Sequence, residues 1–402
     1  MSADDRKLAI ETLTVHGGER RPGPEGSVVF PIYQGTVYSV PSGTDYHDIK
    51  YHRLNTTPSQ TYLHEKLAAL EDGEAAVATA SGMAAITACL LTVLREGDHL
   101  LASDVLYGGT HDFITHHADD LGWSYTLVDT TRPETWQNAV TSQTKLFLCE
   151  TITNPLMRVA RLPEIVGFAR EHGLVSMIDN TFATPVNFRP LSIGFDLVCH
   201  SATKYLNGHS DLVAGCVVGT TDWIERVRKT LNHYGGSLDP GAGYLLSRGL
   251  KTLALRVAQQ NANAHALATA LSDHQQVQEV NYPGLPSHPD NAHAANLLSG
   301  FGGMLSVRLH GGPDTAERLL DSLQLPCVAP SLGGVETLIT IPARTSHAGL
   351  AREERERIGV TDELLRISCG IENADDLVDD FERALDHLAA AAHVPREPVA
   401  MR

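Results

Sequence analysis

The period of the apolar positions changes along the chain. Residues 1–60 carry Gly, Pro, Thr and Tyr in stretches such as VHGGERRPGPEG and FPIYQGTVYSVPSG, without a sustained helical repeat, and read as an extended arm rather than a domain. From about Thr61 short apolar runs alternate with amphipathic segments. AAVATA, HLLAS, SYTLVD, KLFLCE, LVSMID, FDLVCHS and VAGCVVG read as strands, and TYLHEKLAALED, SGMAAITACLLTVL, a segment after Tyr107, PETWQNAV and LPEIVGFAREHG as helices. Apolar strands separated by helices predict a mainly parallel sheet, here of seven strands, covered on both faces.

After Thr220 the helical period dominates, including one long segment over 244–272. GGMLSVRLH and ETLITI read as later strands, DTAERLLDSL and NADDLVDDFERALDHLAAAA as helices. The expected organisation is an arm over 1–60, a sheet domain over 61–250 and a smaller α+β domain over 251–402.

Composition narrows the function. The 402 residues include 48 acidic and 31 basic groups, a formal charge of −17 spread along the chain. Such a field repels phosphate backbones and anionic lipid, so nucleic acid and membrane surfaces are not expected as partners. The longest apolar run, 84–94, is too short to span a bilayer, and the start MSADDRKLAIETL lacks the basic-then-apolar order of a signal peptide. A cytoplasmic location is expected. The cysteines at 89, 149, 199, 216, 327 and 369 are scattered, without a Cys-x-x-Cys pair, and read as reduced core residues.

Ligands of an open parallel sheet collect beyond the carboxyl ends of its strands, so the loops there carry the candidate chemistry. FDLVCH is followed by Ser201-Ala202-Thr203-Lys204, in a chain with only seven lysines. A lysine partly desolvated at a strand end has a lowered pKa and becomes an amine nucleophile for a carbonyl cofactor, though taken alone it is equally a surface lysine. Asp179, after LVSMI, can keep a pyridine nitrogen protonated or can simply cap a turn. Ser81-Gly82-Met83 opens a helix whose first amides suit an anion, with a plain N-cap serine as the alternative. Tyr107, after HLLAS, is a ring that can stack on a heterocycle or a core tyrosine. An amine, a ring-nitrogen partner, an anion cup and a stacking ring at one sheet edge together match pyridoxal 5′-phosphate.

In SATKYLNGHSD, ASGMAA, LYGGT, ETITNPL, IDNTFATP, SLGGVETL and LLRISCGIEN the chain resembles the Cys/Met-metabolism (trans-sulfuration) family of pyridoxal-phosphate enzymes over nearly its whole length. That family includes cystathionine γ-lyase, β-lyase and γ-synthase, methionine γ-lyase and the O-acylhomoserine sulfhydrylases. The resemblance implies a fold-type I α/β enzyme. It implies that Lys204 holds the cofactor and shuttles protons, that Asp179 pairs with the pyridine nitrogen and that Tyr107 stacks on the ring. Ser201, Thr203 and the amides of Gly82 and Met83 would bind the phosphate, and Arg366 the substrate α-carboxylate, a task suited to the guanidinium fork. Asn154 would lie near the cofactor's phenolic oxygen and that carboxylate. The arm would cross to a neighbouring subunit, where Tyr51 and Arg53 complete the phosphate site, giving an active dimer paired into a homotetramer. Tyr107, or Tyr51 from the neighbour, would assist proton transfer.

Departures bear on substrate choice. Arg53 is followed by Leu54-Asn55-Thr56-Thr57-Pro58-Ser59, where the family carries Asn-Pro-Thr after two residues. Gly109 stands where methionine γ-lyases carry Cys. Glu336 occupies a position where enzymes acting at the γ carbon commonly have a carboxylate, and Thr337 replaces a more frequent Ser. These features favour a C–S lyase acting on cystathionine or a related sulfur amino acid, by γ-elimination ahead of β-elimination, with a γ-replacement synthase as the alternative. A nicotinamide-dependent dehydrogenase is disfavoured because no Gly-x-Gly-x-x-Gly turn follows the first strand, and Gly300-Phe301-Gly302-Gly303 leads into a strand. A non-catalytic binding protein would not need both Lys204 and Asp179. A metalloenzyme lacks support because no His-Glu-x-x-His occurs, and His111, His116 and His117 read as a solvated helix face, as does the charged run 352–357.

Overall fold

The computed structural model describes residues 8–46 and 49–392. One sheet has seven strands in the order β1-β7-β6-β5-β4-β2-β3: β1 Ala75–Thr79, β2 His99–Ser103, β3 Ser124–Val128, β4 Thr144–Glu150, β5 Val175–Asp179, β6 Leu197–His200 and β7 Gly215–Gly219. Only β7 runs against its neighbours. Alternating side chains feed two apolar layers. Leu148, Met177 and Leu197 pack beneath the Gly82–Val93 helix, while Phe147, Ile178 and Val198 pack on the other face with the Pro58–Glu71 and Leu162–His172 helices. Burial on both faces explains why these strands read as continuous apolar runs.

The second sheet has five strands in the order β10-β11-β12-β9-β8: β8 Val277–Asn281, β9 Met304–Leu309, β10 Cys327–Val328, β11 Leu338–Thr340 and β12 Leu364–Ser368. It packs on the Leu253–Ser272 and Ala374–Ala392 helices. Gly300 to Gly303 indeed enters a strand, β9, not a helix.

Several local expectations change. PETWQNAV forms a 3-10 helix over Pro133–Asn138, because Trp136 turns inward, donates its indole N–H to the Asp129 carbonyl at 2.8 Å and packs edge-on against Phe147 and Phe168. The segment 244–272 is two helices, Pro240–Leu250 and Leu253–Ser272. Its break is occupied by Arg256, which donates to the carbonyls of Gly249 at 2.9 Å and Tyr205 at 2.7 Å. Gly249 there lies so close to Asn207 that a Cβ would fall 2.3 Å from its carbonyl oxygen. The arm contains a helix, Ile10–His16, that packs on the Leu253–Ser272 and Pro58–Glu71 helices. Cys327 is exposed, while the other cysteines are buried. Arg355, in the run expected to be solvated, is buried and donates to Asp362 at 3.0 Å. His116 and His117 are exposed, whereas His111 is largely covered.

Candidate active site

The carboxyl ends of β1, β2, β4, β5 and β6 open onto a cavity of about 670 Å³, closed on the far side by the loop before β11 and by β12. That volume suits a small cofactor with its substrate. Gly82, Met83, Tyr107, Asn154, Asp179, Ser201, Thr203, Lys204 and Arg366 all line it.

At one end Ser81 caps the Gly82–Val93 helix, its hydroxyl accepting from the Ala84 amide at 3.0 Å. The first-turn amides of Gly82 and Met83 have no partner within the helix and carry the positive end of its dipole. Gly82 is required sterically, because a Cβ there would lie 2.8 Å from Cβ of Ser201. The Ser201 loop can therefore close over the helix start and form a cup of two amides and a hydroxyl. Thr203 is more committed than expected: its hydroxyl donates to the Ala214 carbonyl at 3.1 Å and accepts from the Ala214 amide at 3.0 Å, so it shapes the loop.

On the floor, Oδ1 of Asp179 accepts from the amide of Thr181 at 2.9 Å and from its hydroxyl. The other oxygen accepts nothing from a described residue. Burial raises the Asp179 carboxyl above its ordinary value, opposed by the Thr181 hydrogen bonds and by the charge of His200. The Tyr107 ring is half-exposed over the cavity and rests against Gly109, where a Cβ would fall 2.7 Å from it. The Tyr107 amide is fastened to Oε1 of Glu150 at 2.6 Å.

Lys204 enters from the loop after β6 and donates to the Ser331 hydroxyl at 2.8 Å. Burial and the nearby charge of Arg366 push its ammonium down to about 8. Lys66 is also buried and lowered to about 8, but Glu19 stands 3.6 Å from it. No described carboxylate pairs with Lys204, which leaves its amine available. Arg366, on β12, donates to Oδ1 of Asn154 at 3.2 Å and to the Ser331 carbonyl at 3.0 Å. It is 5% exposed, meets only neutral acceptors, and burial pushes its guanidinium down to about 10.

Four sequence candidates lie elsewhere. The Arg53 guanidinium donates to the Asn232 carbonyl at 3.2 Å and to the Tyr46 hydroxyl at 3.3 Å, and lies 5.5 Å from the centre of the Tyr51 ring. Neither Tyr51 nor Arg53 lines the cavity of its own chain. Glu336 is exposed outside the lining. Thr337 is fully buried, its hydroxyl donating to Glu372 at 2.9 Å and accepting from the Gly370 amide at 2.9 Å, so it braces the loop instead of facing substrate. The sequence reading passed over Ser331 and Glu150. Both sat inside quoted motifs, and the strand-end position of Glu150, in FLCE, was the available signal.

These groups fit pyridoxal 5′-phosphate on their own chemistry: an unpaired amine, a carboxylate with one open oxygen, an anion cup that a side chain at Gly82 would fill, and an unpaired guanidinium for a carboxylate. Comparisons agree. The model of the Cys/Met metabolism PLP-dependent enzyme family matches residues 11–386. A cystathionine gamma-lyase of Bacillus subtilis is 41% identical over 94% of this chain and 99% of that protein. A cystathionine beta-lyase of Coxiella burnetii is 40% identical over 95% and 99%. The crystal structure of cystathionine gamma synthase from Xanthomonas oryzae pv. oryzae, in complex with aminoacrylate and cysteine, superposes with a TM-score of 0.92 at 37% identity, covering 96% of this chain and all of that one. The sequence, the cavity chemistry and the whole-chain matches converge, and the chain belongs to the Cys/Met-metabolism family of pyridoxal-phosphate-dependent enzymes.

Proposed function

We propose that the protein is a carbon–sulfur lyase that cleaves cystathionine or a related sulfur amino acid by γ-elimination, with β-elimination as the nearest variant. The observation that carries the first step, removal of the α-proton, is the double engagement of Ser331, whose hydroxyl accepts from Lys204 and whose carbonyl accepts from Arg366. A substrate whose α-carboxylate rests on Arg366 thus has its α-carbon beside the Lys204 amine. Bound pyridoxal phosphate supplies an electron sink for the pair left when the α-proton departs.

Lys204, whose ammonium burial lowers to about 8 and so makes easier to deprotonate, takes that proton in its amine form and returns it at a later carbon. Asp179 holds a proton on the ring nitrogen. Gly82, Met83 and Ser201 fix the phosphate on a loop that Thr203 shapes, Tyr107 covers the ring, and Arg366 with Asn154 orients the substrate. Tyr107, or Tyr51 of a neighbouring chain, moves a proton at the sulfur leaving group. The likeness to the B. subtilis gamma-lyase supports the γ reading. The structural likeness to the Xanthomonas gamma synthase supports a second one, γ-replacement, in which a thiol intercepts the same reaction.

The same reading makes the protein a homotetramer of active dimers, in the cytoplasm. The arm's exposed Val28, Val37 and Val40 suit a neighbouring chain, and no helix among the described residues is long and apolar enough to cross a membrane. Product analysis on L-cystathionine tests the chemistry. 2-Oxobutanoate with cysteine supports γ-elimination, pyruvate with homocysteine supports β-elimination, and cystathionine made from an activated homoserine and cysteine supports the synthase. No turnover of any of these refutes the proposal.

A further inference from the structure

Glu150 ends β4 on the cavity wall, and the mechanism above gives it no task. It is 6% exposed, and its side chain's one hydrogen bond among the described residues is that accepted from the Tyr107 amide. Asp179 is its register partner on β5, so the two carboxyl groups share one face of the sheet, beneath the Gly82–Val93 helix. Two buried carboxyls so placed do not both hold charge, and their partners decide which keeps the proton.

Asp179 has two hydrogen bonds from Thr181 and feels His200, which contacts Glu71 directly on the opposite face of the sheet. Glu150 has a single amide. The adjacent Cys149 thiol is pushed up by burial and stays neutral, while the cations Lys204 and Arg366 stand across the cavity and hydrogen-bond to other groups. Burial and the charge of Asp179 push the Glu150 carboxyl well above the usual carboxylate range.

We propose that Glu150 is a positioning residue of the cofactor site: a neutral carboxyl group that suspends the Tyr107 amide, and so the ring, above the cavity and leaves Asp179 the only anion on its floor. The inference rests on the reading of this cavity as the pyridoxal-phosphate site. A charged Glu150 would set a second anion beside Asp179, and Asp179 would then share its proton burden instead of serving the ring nitrogen as a full carboxylate.

The test is the equilibrium dissociation constant of pyridoxal phosphate, with the absorbance of the bound cofactor, for wild type, Glu150→Gln and Glu150→Ala over a pH series. Glutamine keeps an oxygen for Tyr107 and is neutral at every pH. At neutral pH Glu150→Gln should bind within about threefold of wild type, and Glu150→Ala, with no acceptor, about tenfold or more weakly. On the alkaline side wild type should weaken as Glu150 loses its proton, and Glu150→Gln should not.

A larger loss in Glu150→Gln at neutral pH overturns the proposal, because it would mean that the charge is needed. So does an alanine variant that binds as wild type does, or an equal alkaline loss in wild type and Glu150→Gln. Should Glu150→Gln not fold, wild-type protein with 13C-labelled glutamate decides the matter, since a missing infrared band for a protonated glutamate carbonyl at neutral pH overturns it equally. Wild-type apoprotein that takes up no cofactor would instead sink the functional reading; wild type that binds beside a Glu150→Gln that does not sinks only this inference.

Discussion

Replacing Arg366 by Met removes a buried guanidinium whose protein partners are all neutral: Asn154 through Oδ1 and Ser331 through its carbonyl. Its pKa stands at about 10 against an ordinary 12.5, a desolvation cost of about 3 kcal/mol for the charged form. Met fills similar volume without charge, but it strands two acceptors, at about 1 kcal/mol each. The cofactor-free variant should therefore lie within about 1 kcal/mol of wild type by urea unfolding midpoint, on the stable side of it. Its substrate binding should collapse. Two hydrogen bonds to a charged carboxylate contribute about 1.5–3 kcal/mol each, so KM for L-cystathionine should rise by roughly two to four orders of magnitude. A variant that loses more than about 3 kcal/mol of stability while keeping its KM would refute the reasoning, because Arg366 would then be a structural tie rather than a stored charge awaiting its carboxylate.

Borohydride reduction of the cofactor-loaded protein should fix the cofactor mass on the Lys204 peptide and should leave Lys204→Ala unlabelled; labelling at Lys66, the other buried lysine, would contradict the assignment. Because burial lowers Lys204 to about 8, its free amine grows as pH rises toward 8 and saturates above it, so cofactor uptake by the apoprotein should speed up on that side and then level off. Continued acceleration to pH 10 would mean an unperturbed amine. Gly82→Ala, with its Cβ 2.8 Å from Ser201, should open the anion cup and weaken cofactor retention about tenfold or more, read by dialysis, and unchanged retention would count against that cup. Arg53→Ala and Lys204→Ala should each be inactive alone and regain activity when unfolded together and refolded as a mixture, since one site of the hybrid then takes Lys204 from one chain and Arg53 from the other; no recovery would speak against a shared site.

Much of the sheet domain was legible because its signals are local. A strand buried on both faces needs an unbroken apolar run, and the loop after it announces itself in the next few residues. Lys204, Asp179, Tyr107 and Ser81-Gly82-Met83 could be picked out in this way. Their convergence followed from the rule that parallel strands deliver their carboxyl ends to one edge. Where the reading failed, a distant contact had overridden a local period. Trp136 turned a helix-like segment into a tighter one to reach Phe147 and Phe168, and Arg256 took up the carbonyls at the end of the Pro240–Leu250 helix, splitting a segment that looks continuous.

The sequence by itself determined the alternating layers, the acidic surface and the residue types at each strand end, since these depend on periodicity and composition within short windows. Only the tertiary structure decided what those residues do to one another. Arg366 reaches Asn154 across 212 positions, and Ser331 meets Lys204 across 127. Thr337 turned away from the cavity because Glu372 and Gly370 claimed its hydroxyl. The lowered amine of Lys204 and the contest of Glu150 and Asp179 for a proton are likewise products of burial. Desolvation is a property of the surroundings that long-range packing assembles, and no short stretch of chain contains it.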